Sequence, residues 1–463
     1  MIRERLKKRL ILKVAFLGLF VFAFFTYDKY KDSRGHDHYF LQDVDQYYSY
    51  LPAFFIHDDL DFNFPHSYWL IESKSGKKVP KVTMGLAIMN LPFFLVADTW
   101  AKNSDYERDG YSLPYVICIR TGALLYFFLG MIFLSKALLR FFSELTVAIT
   151  CVFLFLGTNL FYYTLGHAEY PHAYLFALFS IIIYSAVIWH DEGKSRHVLL
   201  IGFLGGLCAL IRPTAVFILI LPLLYGVNSV GMLKDKMTFL WKEKWKIIGA
   251  LILFAIVLSP QLIFWKAQTG SWIFFSYGSD ERFFFASPHV IDFLISYRKG
   301  WLLYTPMMLF SIFGLVLFRG NSKSFQVVVP IILVLTIYVF SSWWSWWFGG
   351  SFGMRAMVQY YAVFAFPLAA LISYSLKRRL TSVLTLSIGA FFLYLNLFQA
   401  GQYRKNMIHW DGMTKEAYWF SITHPKFQKK DWKTFESYLQ RPDYDAAKKG
   451  ITTKGTPLNS SGH

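Results

Sequence analysis

Apolar runs close to the ~20 residues a helix needs to cross a bilayer recur along this chain, with short Lys and Arg clusters between them. That alternation restricts the fold more than any other feature. The composition agrees, because 55% hydrophobic and 20% aromatic residues over 463 positions is too apolar for a soluble globular protein. The formal net charge of +18 is placed between apolar runs. It therefore reads as contact with anionic lipid head groups and a phosphate-bearing substrate, not with nucleic acid. The expected fold class is an all-α polytopic membrane protein with one helical domain. No internal repeat and no low-complexity tract stands out.

The basic clusters set the topology. Arg3, Arg5, Lys7, Lys8 and Arg9 precede a first helix at about Leu10 to Tyr27, which puts the N-terminus in the cytoplasm. The start has no small-residue cleavage site and reads as a retained membrane helix. The loop 28–83 then faces outward. Later basic connections (Lys136 to Arg140, Lys194 to His197, Lys234 to Lys246, Arg319 to Lys323, Lys377 to Arg379) all fall inside only if Met84 to Trp100 does not span. This run contains Asn90, Pro92 and Asp98 and reads as a re-entrant or interfacial segment. Spans are expected at Leu113 to Leu134, Leu145 to Tyr162, Ala173 to Trp189, Ile247 to Trp265, Trp301 to Phe318, Val327 to Ser341, Ala356 to Leu376 and Leu380 to Phe398. The long run Val198 to Val227 should break at Arg212-Pro213, because proline removes a donor and disfavours helix in the residue before it. The count is about eleven transmembrane helices. The chain divides into a membrane domain, 1–398, and a short polar C-terminal tail, 399–463, whose last stretch TTKGTPLNSSGH reads as disordered.

Cys118, Cys151 and Cys208 lie within apolar runs and read as small core residues. His167, Glu169 and His172 lack the spacing of a zinc helix, and Pro171 interrupts them, so metal ligands are not expected. Asp43 and Asp45, two residues apart, form a weak site for a divalent cation; no cofactor is required. No G-x-x-x-x-G-K-[ST] phosphate loop occurs. Under this topology the unusual polar residues converge outside: Asp43, Asp45, Lys81, the loop Thr164 to His172, the break at Arg212, Gly270 to Lys299, Trp343 to Arg355, and Gln402-Tyr403-Arg404. Ionisable groups at membrane depth face a cavity or one another. A one-sided collection of acids and cations points to a site at the outer membrane surface.

Six stretches then carry a resemblance. They are Asp45-Gln-Tyr-Tyr-x-Tyr-Leu-Pro52, Lys81-Val-Thr-Met-Gly85 followed by Leu91-Pro-Phe-Phe94, Tyr162-Tyr-Thr-Leu-Gly-His-Ala-Glu-Tyr-Pro-His-Ala173 with Ile211-Arg-Pro-Thr214, and Trp346-Trp-Phe-Gly-Gly-Ser-Phe-Gly-Met-Arg355. In order and spacing they resemble the bacterial GT-C glycosyltransferases of the protein mannosyltransferase and aminoarabinose transferase kind. The chain lacks the large soluble C-terminal domain of some members, which argues against an oligosaccharyltransferase.

The resemblance implies a GT-C type helical bundle in the inner membrane. It would move a sugar from a polyprenyl-phosphate donor to a hydroxyl of a lipid, glycan or protein acceptor on the periplasmic or extracellular face. It makes Asp45 the general base, with Asp43 second, because a free hydroxyl is a poor nucleophile and needs a carboxylate to take its proton. The leaving lipid phosphate needs fixed cations. Lys81 and Arg355 are the first candidates, with Arg212 and His167 behind them, since guanidinium suits phosphate. Glu169, His172, Tyr48, Trp346 and Tyr403 would contact substrate. Plainer roles stand beside these. Lys81 as an interfacial anchor, Arg212 as a cap on freed carbonyls, Glu169 as a structural hydrogen-bonding group and the tryptophans as an interfacial belt all fit the sequence. The alternative function is a transporter or flippase for lipid-linked sugars, and a non-catalytic scaffold is a third reading.

Overall fold

The computed structural model describes residues 9–27, 40, 43–64, 70–229, 231–278, 280–451 and 455–457. Most of the basic start, the residues Gly35 to His38 and all of the last stretch except Gly455–Pro457 lie outside them. The described chain is mostly helical, with two short antiparallel strand pairs, Ile71–Glu72 with Lys78–Val79 and Gln440–Arg441 with Thr456–Pro457. Among the described residues, seven helices are long and apolar enough to cross a membrane: Leu10–Tyr27, Leu113–Leu138, His172–Glu192, Lys244–Thr269, Gly320–Ser341, Arg355–Ser375 and Arg379–Arg404. Four further apolar helices are shorter, at Glu144–Leu156, Ser195–Ile211, Pro213–Leu224 and Met307–Leu317.

Contacts group the chain into two units along lines other than the 398/399 boundary. One comprises residues 1–25, 138–162 and 279–463, the other residues 26–137 and 163–278.

In the second of these, His172–Glu192 is buried along most of its length and ends at Gly193, whose φ of 65° lies in the left-handed region that a helix C-terminus favours. Ser195–Ile211 packs on it and on Lys244–Thr269. The close approach runs through Gly202, where a Cβ would strike the carbonyl of Ala250. The helix stops at Arg212, which is extended at φ −149° and ψ 122°, and Pro213 opens a 3-10 turn. The expected break is therefore where proline sterics put it. It frees the carbonyl of Leu210, which accepts the hydroxyl of Thr83. Gly85–Lys102 is one unbroken helix through Pro92. It contains no reversal of the kind a re-entrant hairpin needs. Its buried side chains (Leu86, Asn90, Phe94, Ala97, Asp98 and Ala101 among them) recur at helical spacing, which marks one inward face.

In the other unit, Tyr361–Ser375 is the buried centre, packed by Glu144–Leu156, Met307–Gly314 and Arg379–Arg404. Four expectations change here. The run Trp301 to Phe318 is not one helix, because Thr305 and Pro306 split it into Trp301–Tyr304 and Met307–Gly314, followed by a 3-10 turn Leu315–Leu317. The helix from Glu144 ends at Leu156, short of Tyr162. The Asn396 amide takes the freed carbonyls of Leu156 and Thr158 at 2.8 and 2.9 Å. The last long helix continues past Phe398 to Arg404. The polar residues that made the sequence read as tail are helix side chains: Gln399 donates to Tyr418 Oη at 2.7 Å and Gln402 to the carbonyl of Ser421 at 2.8 Å. The tail folds as Lys415–Thr423, Lys429–Tyr438 and Tyr444–Lys448. Thr456–Pro457, inside the stretch expected to be disordered, pairs with Gln440–Arg441.

Candidate functional site

The candidate site in the 26–137 and 163–278 unit is built on one short helix, Asp43–Tyr48. Successive helical side chains point about 100° apart, so four in a row reach different neighbours. Asp45 accepts the hydroxyl of Tyr111 at 3.1 Å. Gln46 accepts the backbone N–H of Lys81 at 2.8 Å. The Tyr47 hydroxyl accepts Arg212 Nε at 3.3 Å. Tyr48 donates to the carbonyl of Gly110 at 2.5 Å. Asp45-Gln-Tyr-Tyr48 thus ties together Lys81, Arg212 and the loop before Leu113.

Asp45 is fully buried (0% exposed), whereas Asp43, two residues earlier and so on the opposite face of the helix, is exposed. Tyr48, expected to touch substrate, is 1% exposed, and its ring stacks on Phe40 at 3.9 Å. Burial holds its hydroxyl protonated, with a pKa well above the ordinary tyrosine value. It is a packing residue. Lys81 is half-buried and its Nζ lies 4.8 Å from the ring centre of Tyr277, while its carbonyl accepts from Ser276. Arg212 does not cap the helix break; Thr83 does that, and Arg212 turns to Tyr47.

Tyr111, which the sequence reading missed, is held by an ionic clamp. Buried Asp98 accepts Arg108 Nε at 2.7 Å, Lys102 Nζ at 2.8 Å and the Tyr115 hydroxyl at 2.9 Å. Arg108 also reaches the carbonyl of Phe55 at 3.2 Å. Asp109 then accepts the backbone N–H of Tyr111 at 2.8 Å and so fixes the turn that aims its ring. The polar Asp-Gly-Tyr just ahead of a span was the available signal.

His167 and Glu169 pair at 2.7 Å between Nδ1 and Oε1, with Glu169 6% exposed, as a structural hydrogen bond requires. His172 is fully buried and opens its helix, 4.6 Å between ring centres from Tyr163.

The other unit holds Arg355, Trp346 and Tyr403. Arg355 opens a 3-10 turn after Gly353. The glycines around it do not all leave room for a ligand. A Cβ at Gly350 would meet Trp410 at 2.9 Å and one at Gly353 would meet Tyr304 at 2.9 Å, while Gly349 alone faces open space. Tyr403 packs on Tyr162 and Phe352. Trp346 and Trp347 are 8% and 5% exposed, so they turn inward and do not form a lipid-facing belt. A second polar cluster went unread in the sequence. Lys299 is 1% exposed and donates to the carbonyl of Ser351. Burial lowers its pKa to about 7, Asp411 opposes this, and Arg298 and Arg355 add to it. Arg298 donates to the carbonyl of Asp411 at 2.9 Å, and Tyr444 donates to Asp411 Oδ2 at 2.6 Å. His409 Nδ1 accepts the N–H groups of Asp411 and Gly412. Burial, with Lys299 and Arg298 nearby, drops its pKa to about 4.

The fold defines a helical protein whose long apolar helices suit a membrane. No protein-family model matches the chain, and neither a curated protein nor a solved structure matches it.

Proposed function

We propose that the chain is a GT-C type glycosyltransferase. It moves a sugar from a polyprenyl-phosphate donor to a hydroxyl acceptor at the outer face of the inner membrane. The observation that carries this reading is the helix Asp43–Tyr48. Its motif residues Asp45, Gln46 and Tyr47 bond the Tyr111 hydroxyl, the backbone N–H of Lys81 and the Arg212 guanidinium, so one turn and a half of helix holds a carboxylate, a cation and the backbone that carries a second cation. Asp45 takes the acceptor proton as C1 is attacked, with Asp43 the second candidate. Lys81 and Arg212 neutralise the phosphate as it leaves. A base must touch the hydroxyl it serves, so acceptor binding has to open buried Asp45 to the substrate. His167 is a further phosphate donor only if it leaves Glu169. Arg355, Trp346 and Tyr403 belong to the other unit; the sequence motif alone carries the roles of Arg355 and Trp346 toward donor and acceptor, and the expected outward placement of Gln402-Tyr403-Arg404 carries that of Tyr403.

With the basic connections inside, the chain makes about eleven crossings. Gly85–Lys102 then lies at the interface as a single helix. The loop 28–83 and the C-terminal tail are outside. Mass spectrometry of surface glycans, lipids and proteins from cells with and without the protein tests the function. A mass difference of one sugar on one acceptor class is expected. Identical profiles would refute it.

A further inference from the structure

The inward tryptophans line a cavity of their own. Within the 279–463 segment, the backbone around Ser341–Trp344 runs beside Arg282–His289. Phe284 N–H donates to Ser342 at 2.6 Å, Trp344 N–H to Arg282 at 3.1 Å and His289 N–H to Ser341 at 2.9 Å. The folded tail supplies the facing wall. Tyr444 places its ring 6.1 Å from that of Trp344 and 5.8 Å from that of Trp347. Gly450, at φ 74°, lets this wall close, because a Cβ there would strike the Phe284 ring at 2.6 Å. The space left is about 210 Å³. Trp344, Trp346 and Trp347 line it together with His289, Asp292 and Arg298.

Three features define what fits. The volume is below the roughly 300 Å³ at which drug-sized pockets begin, which limits the occupant to about one ring. The lining is mostly polar, with Ser287, Gln440 and Asp443 beside His289, Asp292 and Arg298, and the tryptophan rings give it one aromatic wall; His289 bonds Asp292 at 3.2 Å. Trp344 Nε1 is buried with no acceptor among the described residues, and a buried donor left unmet is unfavourable. A prenyl chain offers no acceptor and would strand these groups. A sugar has C–H faces that lie on aromatic rings and a rim of hydroxyls for the rest.

We propose that this cavity is a saccharide subsite that takes one pyranose ring of the acceptor. The ring stacks on Trp344 and Trp347, its hydroxyls meet His289, Asp292 and Arg298, and one of them reaches the buried Trp344 Nε1 once the indole turns toward the cavity. The folded tail is thereby part of the binding surface and selects the acceptor. This rests on the glycosyltransferase reading.

The test is saturation-transfer NMR on the full chain in lipid nanodiscs, since maltoside detergents carry sugars themselves. The probes are methyl α-D-mannopyranoside, methyl β-D-glucopyranoside and methyl β-D-galactopyranoside. Saturation of ring C–H protons is expected for at least one. Trp344→Ala should weaken it about tenfold or more, as truncating a buried aromatic anchor does. Asp292→Asn, at a half-exposed side chain that the fold tolerates, should weaken it less. Trp241→Ala, on the exposed face of Met232–Lys242, should leave it unchanged. The proposal falls if no glycoside is saturated, if both Trp344→Ala and Asp292→Asn bind as the wild type does, or if geraniol displaces the glycoside. Sugar transfer by the same variants separates the two readings. If transfer depends on Asp45 while no glycoside binds here, the enzyme reading stands and this subsite does not.

Discussion

Lys299 should make stability depend on pH in a window where few other groups titrate. Its ammonium is almost fully buried, and folding lowers its pKa from 10.5 to about 7. Between those values the unfolded chain holds a proton that the folded chain has released. Stability therefore rises as pH climbs through the window, and the full penalty applies below it. From pH 7 to pH 9 the linkage amounts to about 2 kcal/mol, with a slope no steeper than about 1.4 kcal/mol per pH unit. Lys299→Met keeps the length of the side chain and removes the titration. Thermal unfolding of both proteins at pH 7, 8 and 9 provides the assay. The wild type should gain stability relative to the variant's own trend, and the variant should be flat by comparison. Subtracting the two cancels groups common to both. Parallel trends would refute the claim that Lys299 is buried and deprotonates on folding.

Three further outcomes follow from particular contacts. Tyr111→Phe removes one donor from the Asp45 carboxylate, worth about 1.5–3 kcal/mol for a charged hydrogen bond, so transfer should slow roughly 10- to 100-fold at unchanged protein abundance. A wild-type rate in single-turnover transfer would remove Tyr111 from the site. Lys81→Ala and Arg212→Ala should each weaken use of limiting donor by a similar factor while leaving the rate at saturating donor less affected; unchanged donor dependence would show that neither cation meets the phosphate. Gly314→Ala should cost about 1–3 kcal/mol or more, because its Cβ would land on the carbonyl of Pro367, and an unchanged melting temperature would contradict that packing.

Much of the architecture was legible because apolar run length and proline sterics are local properties. The break at Arg212-Pro213 and the helix His172–Glu192 needed nothing from the rest of the chain. Boundaries set by partners were not legible. Asn396, Gln399 and Gln402 read as the start of a polar tail until Leu156, Tyr418 and Ser421 are seen to receive their hydrogen bonds. The site divides the same way. Asp45, Lys81 and Arg212 were singled out from sequence, and Asp43–Tyr48 links them. Tyr111 and the Asp98–Arg108 clamp lie more than 50 positions further along the chain, and only the fold brings them in. Lys299 looked like one more loop cation because burial cannot be read from a dibasic pair beside Gly300.

The central claim is that Asp45 is the base. Asp45→Asn keeps the shape and still hydrogen-bonds, but it cannot take a proton. General-base catalysis contributes about 10²- to 10⁴-fold. Single-turnover transfer from a polyprenyl-phosphate sugar by purified Asp45→Asn should be slower by that factor, with abundance and donor binding little changed and Asp43→Asn close to wild type. Loss of transfer in Asp43→Asn alone would move the base to Asp43, and full activity in both variants would contradict the account.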